Sequence, residues 1–270
     1  MALSGGADSV SLLDVLVRAG YTCVAAHCNF HLRGAESNRD ASFVRELCAQ
    51  LKVQLFVKDF DTLTYARTHN VSVEVAAREL RYAWFEELAQ TNGCQAVAVA
   101  HHQNDQAETI LLNLKRGAGL RGLAGMRPKS ANPMAPEGVP VVRPLLCTTR
   151  DYIEHYLRDK RHMTWVTDST NSDTSITRNA IRLQLKSYSK AEIEHMAQTA
   201  EFMQGYVDIL DGKNTREAGL VRLYEDIREF GFAEINKIYD ALQRGEGGKT
   251  FISKTHKATI KKGKLCVTTV

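Results

Sequence analysis

No run of apolar residues in this 270-residue chain approaches the roughly 18–20 needed to cross a bilayer, so a membrane-spanning helix is not expected. No basic stretch followed by an apolar core opens it, and a secretory signal is not expected either. The six cysteines (Cys23, Cys28, Cys48, Cys94, Cys147 and Cys266) include no C-x-x-C pair. That spacing argues against a disulfide frame or a cysteine-held cluster, and for reduced thiols in the cytoplasm. Proline is scarce: five residues, four of them between Lys129 and Pro144. The composition, 44% hydrophobic and 24% charged, is that of a globular chain long enough for one large domain and a smaller accessory one.

Net charge is only +4, but it is unevenly spread. From Lys249 to Lys264 there are six lysines, His256 and no acid, so the rest of the chain carries −2. A cationic end on a near-neutral body points to a polyanionic partner, because each phosphate contact releases counterions. A solvated basic hairpin is the alternative.

The first 145 residues alternate strand and helix patterns. Thr22–His27, Val53–Val57 and Ala96–Ala100 read as strands apolar on both faces, as parallel strands covered by helices must be. Between them Phe43, Val44, Leu47, Cys48 and Leu51 form one helical stripe, and Val75, Leu80, Trp84 and Leu88 another. This predicts an α/β fold, a doubly wound parallel sheet. Lys129 to Pro144 reads as a flexible loop, and Arg150–Lys160 as a helix. Beyond Lys190 the pattern is mainly helical, broken at Gly245–Gly248, and Ile252 to Val270 reads as a hairpin turning near Lys262-Gly263. The expected division is 1–185 and 186–270.

Ser4-Gly5-Gly6-Ala7-Asp8-Ser9 is the strongest local signal. Only Met1-Ala2-Leu3 precede it, which predicts a strand shorter than the usual five or so residues, or a segment in front of it. Paired glycines let backbone N–H groups face a bulky anion, the serines add hydroxyls, and the next helix presents its positive end. The string fits neither G-x-x-x-x-G-K-[ST] nor G-x-G-x-x-G. It resembles instead the PP-loop of N-type ATP pyrophosphatases, which implies ATP bound by Ser4–Ser9. A carboxylate is no phosphate donor, so Asp8 is expected to hold Mg²⁺.

Three further polar clusters sit at strand ends or helix starts, where open α/β sheets bind ligands. They are His27-Cys28-Asn29-Phe30-His31-Leu32-Arg33, Glu74 to Tyr82, and His101-His102-Gln103-Asn104-Asp105 with Glu108. Each has a competing explanation. His27, His31 and His101-His102 suggest zinc, although i, i+4 spacing across a strand end does not converge as it does on a helix. Arg78 and Arg81 share a helical face and are equally readable as solvated, as is the Arg178–Arg182 pair. Asp105 and Glu108 are readable as helix caps as well as catalysts.

Taken in order with Arg116-Gly117-Ala118-Gly119, Gly122 to Met126, Arg143-Pro144-Leu145-Leu146, Asp168-Ser169-Thr170-Asn171, Arg178 to Arg182, and Gly248-Lys249-Thr250-Phe251 with Ser253 to His256, these clusters resemble the tRNA(Ile)-lysidine synthetase family. The resemblance implies an adenine nucleotide alpha hydrolase-like fold with a mainly helical C-terminal extension and a terminal β-hairpin. It implies transfer of L-lysine to the wobble cytidine of tRNA(Ile) with a CAU anticodon, through an adenylated cytidine. Asp105, His102, Glu108 and Arg116 are the catalytic candidates; Ser4, Gly5, Gly6, Ala7, Asp8, Ser9, His27 and Arg78 are the nucleotide-binding ones. Family members commonly extend beyond such a hairpin, which implies a shortened form. The oligomeric state stays open, a homodimer included. Two alternatives remain: another PP-loop tRNA-modifying transferase of the thiolase type, and a non-catalytic relic that binds ATP and tRNA.

Overall fold

The structure, a computed structural model, describes residues 1–32, 34–167 and 177–270. Arg33, Asp168–Asn171 and the side chain of Arg178, all singled out in the sequence, lie outside the described residues. The elements run in the order α1 (Ala7–Arg18), β1 (Val24–Asn29), α2 (Ala35–Leu51), β2 (Gln54–Asp59), α3 (Thr62–His69), α4 (Val73–Thr91), β3 (Val97–Ala98) and α5 (Gln103–Lys115). There follow α6 (Leu120–Leu123), β4 (Lys129–Ser130), β5 (Val141–Val142), α7 (Arg150–His155), which continues as a π-helical turn over Tyr156–Arg161, and α8 (Thr177–Leu185). The last elements are α9 (Lys190–Leu210), α10 (Arg216–Asp226), α11 (Phe232–Gln243), β6 (Thr250–Ile252), β7 (His256–Lys261) and β8 (Lys264–Thr269).

Two compact units result: Met1–Thr109 with Arg127–Glu194, and Ile110–Met126 with His195–Val270. In the first, Met1–Leu3 forms the middle rung of the sheet. Leu3 N–H donates to Ala26 O and Ala26 N–H to Met1 O on one side, and Ala2 N–H donates to Ala98 O on the other, each at 2.9 Å. The parallel pair β1–β2 lies on the first side and β3, β5 and β4 follow on the second. Alternation along the strands sends Leu3, Ala25 and Ala98 to one face, against α1, α2 and Leu157 of the π turn, and Ala26, Val97 and Val99 to the other, against Tyr82, Trp84 and Phe85 of α4. Side-chain caps start α4 and α3. Ser72 accepts from Val75 N–H at 3.2 Å and Asp61 from Thr64 N–H at 3.1 Å.

The proline-rich stretch departs from the expected flexible loop. β5 is a sheet strand, parallel to β3, and Val141 is fully buried. Prolines flank it without cost because the ladder uses their carbonyls or skips them: Val97 N–H donates to Pro140 O at 2.8 Å and Val99 N–H to Val142 O at 2.9 Å. A strand of two residues between prolines carries too little periodicity to be read as one. Its approach is fixed by the buried Glu86 of α4. That carboxylate accepts Val139 N–H on both oxygens, at 3.0 and 3.1 Å, and the Asn132 side-chain amide at 2.9 Å.

The second unit packs Leu220 of α10, Ile227 and Phe230 of the connection that follows, and Ile235 and Ile238 of α11 against Ala258 of β7. Gln204 on α9 donates to the carbonyls of Ala124 and Met126, at 2.7 and 2.9 Å, and so fixes the segment that follows α6. The β7–β8 turn falls at Lys262-Gly263 as expected. Both residues have positive φ, 50° and 75°, the two-residue hairpin turn that matches strand twist.

Glu86 makes a direct test of the Pro-rich segment. Glu86→Ala strands a backbone donor and a buried amide, and is expected to lower stability by about 2–4 kcal/mol in urea titration. A loss below about 0.5 kcal/mol, the range of ordinary surface substitutions, would show that the segment does not depend on this carboxylate.

Candidate active site

Ser4–Ser9 leaves the middle strand at its C-terminal end and turns into α1. Gly5 takes φ +94°, a conformation that glycine adopts without steric cost, and its carbonyl accepts from Val166 N–H at 2.9 Å. The loop is tied internally by Ser9, whose Oγ accepts from the N–H groups of Ser4 and Gly5, both at 3.2 Å, and donates to Gly6 O at 3.0 Å. Ser4 Oγ lies 3.1 Å from Ser9 Oγ. The first two amides of the loop are therefore engaged with Ser9, a difference from the expected run of inward N–H groups. Ala7, Asp8 and Ser9 begin α1, and their N–H groups have no partner among the described residues, since the ladder starts with Val10 N–H to Gly6 O. Those three amides and the positive helix end are what the loop offers an anion.

Asp8 and His102 come together because their loops follow adjacent parallel strands, Met1–Leu3 and β3. Asp8 Oδ1 is 3.5 Å from His102 Nε2, and Asp8 Oδ2 accepts from Arg150 Nη1 at 2.5 Å. His102 Nε2 is also 3.4 Å from Asp105 Oδ2. The same Asp105 oxygen accepts the backbone N–H of His102 at 3.0 Å, the third-residue half of a capping box. Asp105 thus serves as a cap and faces the imidazole at once. His102 is buried, and its Nδ1 has no hydrogen-bond partner among the described residues.

The electrostatics of the cluster are mutual. Burial alone pushes the Asp8 carboxyl upward, but His102 and Arg150 outweigh it and hold Asp8 below its ordinary value. Burial pushes His102 downward, and the close approach of Asp8 with the charges of Asp105 and Asp8 reverses this, leaving the imidazole above its ordinary value. As a metal ligand Asp8 fits: Oδ1 is buried without a regular hydrogen bond among the described residues. Mg²⁺ characteristically takes one or two protein carboxylates, with phosphate and water completing its shell.

Glu108 is nearly fully buried on α5 and accepts from Arg182 Nε at 2.7 Å, so the arginine read as part of a helix face has a carboxylate partner. His27 is buried beneath the loop, its Nδ1 2.9 Å from Leu3 O. His31 is exposed and pairs with Asp59 at 2.7 Å, so His27 and His31 do not converge. Among the described residues no three His, Cys, Asp or Glu side chains stand together as a metal-holding group. Arg78 lies exposed on α4, its guanidinium 5.1 Å from the Tyr82 ring. Arg116 follows α5 and is exposed in the second unit. Burial pushes the Cys28 thiol up to about 12, and that thiol stays protonated and unreactive.

Arg150 escaped the sequence reading. Its only local sign is Thr149, which caps α7 by accepting Tyr152 N–H at 3.4 Å, and Glu154 one turn on. In the second unit, β7 buries Ala258 and Ile260, so Lys257 and Lys261 point to the opposite face, with Lys264 paired across from Lys261. Lys254, Lys257, Lys261, Lys262 and Lys264 are all exposed.

Comparison with known proteins matches a family described as the PP-loop domain to residues 1–201, and one described as the TilS substrate binding domain to residues 206–270. The tRNA(Ile)-lysidine synthase of Parabacteroides distasonis is 41% identical over 100% of this chain and 65% of its own length. That of Bacteroides thetaiotaomicron is 43% identical over 94% of this chain and 63% of its own. This chain therefore spans just under two thirds of the length of these curated relatives. Among solved structures, the U34-tRNA thiolase NcsA from Methanococcus maripaludis, with its 4Fe-4S cluster, superimposes with a TM-score of 0.55 at 16% identity, over 79% of this chain and 72% of that one. At that identity the likeness is one of fold.

The loop's two glycines are expected to differ sharply. Gly5→Ala forces a side chain into positive φ, with its Cβ 3.3 Å from Val44, and should cost about 1–3 kcal/mol. Gly6 has φ −71° and its nearest neighbour at 3.6 Å, so Gly6→Ala should cost clearly less by thermal denaturation. Equal costs would contradict the loop conformation.

Proposed function

The chain belongs to the PP-loop family, and from that premise we propose that it uses ATP to join L-lysine to the wobble cytidine of tRNA(Ile) with a CAU anticodon. The observation that carries the proposal is the convergence of Asp8, His102 and Asp105 beside the unpaired amides of Ala7–Ser9. Identity of 41–43% to lysidine synthases along nearly the whole chain supports the choice among PP-loop reactions.

The reaction has two steps. In the first, the cytidine ring oxygen attacks the α-phosphate of ATP, and pyrophosphate leaves toward the loop. Donors fixed before the reaction stabilise the charge that develops there. Asp8 would hold Mg²⁺, which would supply charge neutralisation on the phosphates. His27 and Arg78 complete the nucleotide-binding set. In the second step the lysine amine attacks the activated ring carbon and AMP leaves.

A free amine has a pKa of about 10.4, so its deprotonation at neutral pH costs about 4–5 kcal/mol without a base. Asp105 is the candidate base: its contacts to His102 both fall on Oδ2, and Oδ1 faces neither. His102, whose pKa two carboxylates raise against burial, orients Asp105 and Asp8. Glu108 is engaged by Arg182 and shapes the site as a fixed pair. Arg116 contributes a cation for a phosphate or for the lysine carboxylate. Residues 1–185 carry the chemistry and 186–270 the tRNA contact. No helix among the described residues is long and apolar enough to cross a membrane, and the site of action proposed is the cytoplasm.

The test is incubation with ATP, labelled lysine and tRNA(Ile) bearing the CAU anticodon. Label should enter RNA with matching AMP and pyrophosphate. Pyrophosphate released with another acceptor, or RNA bound without turnover, would replace this reaction by another PP-loop transfer or by a binding role. Asp105→Asn keeps an acceptor for His102 N–H but cannot take a proton, and should slow lysine transfer by about 10²–10⁴-fold with the fold intact. Near-normal turnover would remove Asp105 from the role.

The exposed lysine face has its own readout. Changing Lys257, Lys261 and Lys264 to Gln should weaken tRNA binding and lower the salt slope of log K by about 2–3, one lost phosphate contact per lysine. An unchanged slope would identify the face as merely solvated.

A further inference from the structure

Ser9 fixes the peptide groups on either side of the Gly5–Gly6 bond, but not that group itself. Its Oγ holds the N–H groups of Ser4 and Gly5 and donates to the carbonyl of Gly6. Neither Gly5 nor Gly6 has a Cβ to resist rotation of the peptide between them, so the local sequence constrains it least. Two bonds reach it. Gly6 N–H meets Ser4 Oγ at 3.4 Å, a long contact, whereas Val166 N–H donates to Gly5 O at 2.9 Å, a regular hydrogen bond. A trans peptide carries its C=O and N–H on opposite sides, so the bond that draws Gly5 O toward Val166 turns Gly6 N–H away from it.

Val166 is placed by α1 itself. Asp14, fully buried about two turns into that helix, accepts Arg161 Nε at 2.9 Å, Arg161 Nη2 at 3.0 Å and the Tyr156 hydroxyl at 2.6 Å. The π-helical turn over Tyr156–Arg161 is what lets both side chains reach one carboxylate. In an α-helix, residues five apart point about 140° from each other. The i→i+5 bonds of a π turn stack them instead. His162, at φ 50°, then ends the turn, and Met163 N–H donates back to the carbonyl of buried Leu157 at 3.0 Å. Met163 and Trp165 pack against the core shared with α1. Val166 so arrives at the loop, its Cγ2 3.5 Å from where a Gly5 Cβ would stand. Loop, α1 and π turn form a closed circuit inside one unit.

We propose that Val166 N–H, held by the node of Asp14, Arg161 and Tyr156, is a positioning group for the nucleotide. It keeps the Gly5 carbonyl out of the phosphate site and the Gly6 amide turned toward it. Gly6 caps α1 immediately before the unpaired amides of Ala7–Ser9. Rotation of its peptide would set a carbonyl oxygen, the negative end of the dipole, beside those amides and remove a donor as well. Asp14, Arg161 and Tyr156 act only through Val166. The proposal rests on the reading of Ser4–Ser9 as a loop that binds the phosphates of ATP.

The test removes one donor. Val166→Pro deletes the N–H at a residue whose φ is negative, the side of the map that proline occupies. It should bind MgATP about 10-fold more weakly by titration calorimetry, the size of one net hydrogen bond, while tRNA affinity changes by less than about 2-fold. Magnesium pyrophosphate, which lacks the nucleoside, should lose the same factor. Val166→Ala keeps the N–H and should bind MgATP at least about 5-fold more tightly than the proline variant. Arg161→Gln leaves the loop and the donor in place and should weaken MgATP binding by about 3-fold or more; it serves should Val166→Pro fold poorly. A merely structural bond would lower the thermal midpoint of Val166→Pro and leave its MgATP affinity at the parent's value. That result overturns the proposal, as does an equal fall in MgATP and tRNA affinity, or a Val166→Ala that binds no better than the proline variant. A parent chain that binds neither MgATP nor magnesium pyrophosphate overturns the phosphate-loop reading itself, and the proposal with it.

Discussion

Three hydrogen bonds that seat Met1–Leu3 between β1 and β3 are the constraint on which the rest of the site depends. Strand order reverses at that rung: the chain runs outward to β1 and β2 on one side, then crosses back to β3 on the other. Two loops are thereby set side by side at the carboxyl end of the sheet, one after Leu3 and one after Ala98. Open α/β sheets form their ligand crevice at such a reversal. A slip of one residue in this short strand would exchange the faces of Ala2 and Leu3, which lie in opposite cores, and would carry Asp8 away from His102. Buried packing on both faces, more than the few ladder bonds, holds the register.

Within the crevice, Asp8 and His102 each favour the charged form of the other. Asp8 is held below its ordinary value and His102 above its own, and both shifts require the partner's charge to overcome burial. A depressed carboxylate contributes stability that is complete above its unfolded value of 3.8 and is lost as pH falls. A raised imidazole contributes stability that is complete below 6.5 and is lost as pH rises through its folded value. The two overlap only between these limits, so the cluster is best held in mildly acidic solution and loses part of that support in alkali. The capping role of Asp105 uses the same oxygen that faces His102, which is why cap and catalyst need not be treated as rival explanations.

Much of this was legible in the residues, for reasons that differ by element. The strands β1 and β2 each contain a short apolar run, Val24–Ala26 and Leu55–Val57, that declares them, although each begins one or two residues later than the pattern suggests. The loop was legible because paired glycines and flanking serines have few other uses together, and Gly5 does take the positive φ that only glycine adopts freely. β5 was not, since two valines among prolines show no period. Nor was Arg150, 142 positions from Asp8 in the chain, or the Arg182–Glu108 pair, 74 positions apart. Such pairings are created by topology alone, and no local spacing records them.

The composition of the loop explains why an arginine from so far away belongs to it. Loops that grip triphosphates through G-x-x-x-x-G-K-[ST] carry their own lysine to balance the phosphate charge. Ser4–Ser9 carries none; its single charged residue is an acid. Amide dipoles and the end of α1 supply only about half a positive charge, while Asp8 alone would repel a polyanion. A cation must therefore be brought to Asp8 before or with the phosphates, and the start of α7, tied to α5 through Asn104, supplies one from outside the loop.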